Sequence, residues 1–74
     1  MTIAELRIDL GLTYGGLATA LGLASKGQAH GIETGRVKCS PRVALAIEKL
    51  SEGRIQAGEL NDDVALVRLA GEAA

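Results

Sequence analysis

Seventy-four residues with a net charge of −1, one histidine, one cysteine and no Trp or Phe point to one small domain. The lone Cys39 excludes an internal disulfide framework and a multi-cysteine metal site within one chain, and no apolar run approaches the roughly 20 residues that span a bilayer. With Tyr14 as the only aromatic residue, the core has to be built from Leu, Ile, Val and Ala, a composition that suits closely packed helices. A core of this size supplies only about 3–5 kcal/mol, so association with a second copy is an expected further source of stability. The first residues, MTIAELRIDLG, carry acids where a signal peptide carries bases, and the expected location is the cytoplasm.

Thr2 and Glu5 have the spacing of a capping box and predict a helix to about Leu10, ended by Gly11. Ile3, Leu6 and Leu10 form its apolar stripe, leaving Glu5, Arg7 and Asp9 as solvated surface. Thr13 caps a second helix from Tyr14 to about Leu21, with Leu17, Ala18 and Leu21 on one face and Tyr14 as a partly buried packing residue. Gly22 follows where a helix ends in a left-handed residue. Leu23 then turns into the core and Ser25 caps a third helix, from about Lys26 to Thr34, closed by Gly35. Ala29 and Ile32 face inward in it, which turns Lys26, Gln28, His30 and Gly31 towards solvent or a ligand.

Arg36 to Ser40 reads as a loop, and Ser40-Pro41 as the N-cap and first residue of a fourth helix with Val43, Ala44, Ile47 and Leu50 on its buried face. That helix ends near Ser51 to Gly53. Between Arg54 and Leu60, Gly58 indicates a turn or a single helical turn anchored by Ile55 and Leu60. Asn61 caps a last helix, over 61–71, with Asp62 and Asp63 at its positive end. Val64, Leu66, Val67 and Leu69 cover more than one face of it, which fits either a contact between protomers or a lid on the core. Charge is unevenly distributed: from Ser25 to Arg42, four bases (Lys26, Arg36, Lys38, Arg42) face Glu33 alone, a balance of +3. From Ser51 onward two bases face five acids, a balance of −3.

Leu17-Ala18, Leu21-Gly22-Leu23, Ser25 and Ile32-Glu33-Thr34-Gly35 resemble the helix-turn-helix of the phage Cro and repressor (XRE-type) family of small regulators. The likeness covers about residues 2–50, with one residue more than the common spacing between Leu21-Gly22 and Ile32-Glu33, so that the turn is longer or the second helix of the motif starts late. It implies an all-α fold: a compact bundle of about five short helices in one domain, with the helix-turn-helix at 13–35. It also implies a transcriptional regulator that binds double-stranded DNA as a homodimer, with the helix after Ser25 in the major groove.

The DNA-contact candidates are then Ser25, Lys26, Gln28, His30, Arg36, Lys38 and Arg42. Gln suits a bidentate pair with adenine, and Lys suits guanine or a phosphate. Arg36 and Lys38, in the loop after the motif, suit phosphates, as does Arg42 in the first turn of the next helix. The resemblance gives Glu33 a structural role, pairing with an Arg or capping a neighbouring N–H. Cys39 reads as a small packed residue, and His30 has no Cys or His neighbour at ligand spacing. No catalytic constellation is present, so neither an enzyme nor a cofactor is expected. The alternative is an antitoxin-like or adaptor module that binds another protein through its last helix.

Overall fold

The computed structural model describes residues 1–73, with side-chain surroundings up to residue 71. The described residues are all-helical, without a strand. Six helices follow in order: α1 (Ile3–Asp9), α2 (Tyr14–Leu21), α3 (Lys26–Thr34), α4 (Pro41–Leu50), α5 (Ala57–Leu60) and α6 (Asp62–Ala73). The sixth arises because the stretch after Arg54 forms its own single-turn helix, α5. Two compact units divide the chain, Met1–Lys38 with α1–α3 and the remainder, from Cys39, with α4–α6.

In the first unit each helix starts on a hydroxyl. Thr2 Oγ1 accepts from Glu5 N at 3.1 Å while Glu5 Oε1 accepts from Thr2 N at 3.0 Å, a complete capping box. Thr13 Oγ1 accepts from Gly16 N at 3.0 Å, and Ser25 Oγ from Gln28 N at 3.3 Å. The three helices also end alike. Leu12 N donates to Arg7 O, Leu23 N to Ala18 O and Arg36 N to Gly31 O, each beside a bond from the preceding glycine N–H that reaches back three residues, to Ile8 O, Thr19 O and Ile32 O. These paired bonds are Schellman closures, which need a left-handed residue at the turn. At Gly22 and Gly35, φ is 70° and 81°, a conformation that costs an L side chain about 1–2 kcal/mol.

Ile3, Leu6, Leu17, Ala18, Leu21, Ala29 and Ile32 are buried, and α2 packs directly on α3. Leu10 departs from the expected stripe and is 42% exposed. α1 stops at Asp9, and the Schellman turn through Gly11 takes Leu10 off the inner face and brings the half-buried Leu12 to it.

In the second unit Ser40 Oγ accepts from Val43 N at 3.3 Å and Pro41 opens α4, which buries Val43, Ala44 and Ile47. The fully buried Ser51 then organises the descent to α5: its Oγ accepts from Ile55 N at 2.9 Å and donates to Glu48 O at 3.0 Å. Glu48 Oε1 accepts from Ala57 N at 3.1 Å, and its carboxylate takes a two-pronged bond from Arg68 at 2.5 and 2.7 Å, so one side chain joins α4 to α5 and to α6. Gly58 lets α6 approach closely, since a Cβ there would lie 3.3 Å from Ala65 Cβ. Asn61 Oδ1 accepts from Val64 N at 3.1 Å while its Nδ2 donates to Cys39 O at 2.9 Å. Cys39 is buried, and burial pushes its thiol up. Of the apolar residues of α6, Val64 is buried, whereas Leu66, Val67 and Leu69 are 63%, 72% and 63% exposed.

Candidate nucleic-acid interface

α2, its four-residue exit Gly22–Ser25 and α3 form a two-helix motif held at every end by the bonds just described. α3 begins at Lys26, directly after its cap Ser25. Its inner face is Ala29, Gly31 and Ile32, and Lys26, Gly27, Gln28 and His30 are exposed. Gly31 therefore does not face outward as its spacing suggested. After Gly35 the chain folds back over it: Arg36 N and Val37 N both donate to Gly31 O, at 2.8 and 3.1 Å, and a Cβ on Gly31 would lie 2.7 Å from Val37 Cγ2. With Val37 seated on that glycine, Arg36 and Lys38 on either side of it are exposed.

Ser25 and Gln28 are both occupied at the start of α3. Besides the Ser25 cap, Gln28 Oε1 accepts from Ala24 N at 3.0 Å, which draws the side chain back over the helix N-terminus. A bidentate pair with adenine uses that same oxygen. The oxygen has a second lone pair, so it can accept one further hydrogen bond while still holding Ala24 N–H. Lys26, Arg36 and Lys38 are exposed in the first unit. Arg42 is exposed in the second, in the first turn of α4.

Behind α3 lies a cluster that ties three helices together. Arg7 Nε donates to Glu33 Oε1 at 2.8 Å and Nη1 to Leu12 O at 3.1 Å, while the guanidinium sits 4.3 Å over the Tyr14 ring. The Tyr14 ring meets His30 edge to face, centroids 5.0 Å apart and planes at 80°. Arg7 is thus an organising residue rather than the surface bystander its position in α1 suggested, and its partner is 26 residues away, beyond the reach of any local pattern. Tyr14 is half-buried, the packing residue expected.

Glu33 is 5% exposed at its side chain. Burial raises its carboxyl, but hydrogen bonds from Tyr14 and Arg7 and the nearby positive charge outweigh that and hold it below the usual carboxylate range. The same bond raises Arg7, and Glu33 raises the Tyr14 hydroxyl. Because Glu33 is the one acid between Leu10 and Lys38, pairing it inside the unit leaves the exposed face of α3 and its exit loop with basic charges only. Sequence reasoning placed Glu33 in such a role without naming Arg7 as the partner.

Among the described residues no group of three His, Cys, Asp or Glu side chains is placed to hold a metal ion, and no helix is long and apolar enough to cross a membrane. No protein-family model, no curated protein and no solved structure matches the chain.

Proposed function

We propose that the protein is a small Cro/repressor-like transcriptional regulator that binds double-stranded DNA sequence-specifically, with α3 as recognition helix in the major groove. The observation that carries this reading is the exposed start of α3, with Lys26, Gln28 and His30 outward, followed by a loop that holds Arg36 and Lys38 outward. The one acid of this region is drawn away into the pair with Arg7. Polar side chains in the first turns of α3 reach base edges, and the basic loop contacts phosphates and sets the register. Two copies, related by a two-fold axis, present two such helices to major grooves about 34 Å apart.

The exposed Leu66, Val67 and Leu69 of α6 favour a second reading, in which the domain is an antitoxin-like or adaptor module and α6 binds another protein. Salt dependence separates the two. Binding that neutralises several phosphates weakens steeply as salt rises, whereas association through an apolar helix does not. Fluorescence anisotropy at two salt concentrations, with the promoter of the protein's own gene and a scrambled duplex, is the direct test. Tighter, salt-sensitive binding to the promoter is expected, and Arg36→Ala or Lys38→Ala each lowers the salt slope by about 1. No binding to either duplex at low salt overturns the DNA reading.

A further inference from the structure

The His30 imidazole is exposed on α3, yet one side of it is fixed by the edge-to-face contact with Tyr14. Tyr14 in turn carries the Arg7 guanidinium 4.3 Å over its ring, and Arg7 is itself held by Glu33 and by the Leu12 carbonyl. No protein group among the described residues hydrogen-bonds either imidazole nitrogen of His30. Long side chains on a helix lean towards its N-terminus, over the residues three and four positions earlier, which for His30 are Gly27 and Lys26. Gly27 leaves that direction open: a Cβ there would meet only Ser25 Oγ, at 3.7 Å. The ring is therefore held on one side by Tyr14, exposed to solvent, and without a hydrogen-bond partner at either nitrogen among the described residues.

We propose that His30 is a specificity-determining residue, its ring N–H donated to an acceptor on a base-pair edge such as N7 or O6 of guanine, and that Tyr14 is its positioning residue. The proposal rests on the DNA-binding reading above. An imidazole that is already oriented loses little freedom on docking, so its hydrogen bond discriminates among bases rather than merely adding contact. Gly27 serves the same end by allowing the backbone of α3 to come close to the groove floor, where a short ring can reach.

The test is selection of preferred sites from a randomised duplex pool by the wild type, His30→Ala, Tyr14→Leu and Tyr14→Phe, with urea unfolding of each protein alongside. The expected result is a loss of preference confined to the same one base pair, roughly fivefold, in His30→Ala and Tyr14→Leu. Tyr14→Phe keeps the ring and retains the preference. A His30→Ala profile identical to that of a selective wild type overturns the role of His30, and a Tyr14→Leu variant that stays folded and keeps the preference overturns the role of Tyr14. A wild type that binds DNA without selecting any site overturns this proposal while leaving phosphate binding intact, and a wild type that binds no DNA overturns the underlying reading as well. In the free protein, the ring protons of His30 carry a Tyr14 ring-current shift that Tyr14→Leu removes; its absence from the wild type also overturns the positioning role.

Discussion

Arg7 and Glu33 meet at 2.8 Å, and the two sides of this pair are not equally protected: the Glu33 side chain is 5% exposed, that of Arg7 19%. The Arg7 side chain has other partners, the Leu12 carbonyl and the Tyr14 ring. Removing Arg7 leaves an almost buried carboxylate without its charged partner, while removing the charge of Glu33 leaves a guanidinium that still has the Leu12 carbonyl and the Tyr14 ring and is reachable by water. Arg7→Met is therefore expected to lower the urea midpoint more than Glu33→Gln. Equal losses would mean that the pair acts only through its mutual attraction.

Two glycines of α3 should answer alanine in opposite ways. Gly27 has open space around it, so Gly27→Ala gains helix propensity and raises stability by about 0.4–1 kcal/mol. At Gly31 the new methyl group would strike Val37, a stiff β-branched residue whose own N–H is bonded to Gly31 O. Gly31→Ala is expected to cancel or reverse the propensity gain and to displace the Arg36–Lys38 loop. Adding Val37→Ala should restore stability, and denaturant unfolding of the single and double variants reads both effects.

The caps of this chain are legible because each is a local event. A hydroxyl three residues before a backbone N–H, or a glycine one residue past a helix, is written in adjacent positions, and Thr2, Thr13, Ser25, Ser40 and Asn61 all cap as their spacing implied. What escaped depends on where the chain goes next. Gly31 is covered by Val37, which returns over it, Leu10 is exposed because α1 stops at Asp9 and the chain turns through Gly11, and the partner of Glu33 comes from α1. At the candidate interface the outward direction of Lys26, Gln28 and His30 followed from Ala29 and Ile32. The grip of Gln28 on Ala24 and of Tyr14 on His30 did not, since neither is a consequence of helical period.

Glu52 is the one described non-glycine residue with positive φ, 54°, and it stands at the turn of a fourth Schellman closure, with Gly53 N bonded to Glu48 O and Glu52 N to Lys49 O. A side chain there carries the left-handed penalty that Gly22 and Gly35 avoid. Glu52→Gly, after the larger chain entropy of glycine is subtracted, should stabilise the protein by about 0.5–1 kcal/mol. A lower melting temperature for this variant would show that the Glu52 side chain contributes more than its backbone strain costs.

Acid sensitivity should centre on Glu48. The bond from Arg68, with that from Ala57 N–H, holds its carboxyl at about 2, against 4.5 for the free group. A carboxyl depressed in the folded state binds fewer protons there than in the unfolded chain, so its contribution is full above 4.5 and declines as pH falls from there towards 2. Glu33 adds to the same trend, being lowered as well. The urea midpoint of the wild type should be lower at about pH 3 than at about pH 6, whereas Glu48→Gln starts lower at about pH 6 and loses less on acidification. Parallel losses in the two proteins would place the acid-sensitive group elsewhere.

Gln28 joins stability to recognition and allows the two to be separated. Its Oε1 holds Ala24 N–H while its own N–H is held by Ser25, a reciprocal arrangement at the start of α3. Gln28→Ala removes one of these bonds and is expected to cost about 0.5–1 kcal/mol together with any base preference that Gln28 provides. Gln28→Glu keeps an acceptor for Ala24 and puts a negative charge at the positive end of the helix, so its stability should equal or exceed that of the wild type. The same charge faces the polyanion if α3 enters the groove, and affinity for any duplex should then drop sharply. A Glu variant that is as stable as the wild type and binds DNA equally well would show that the first turn of α3 does not approach DNA and that α3 is not the recognition helix.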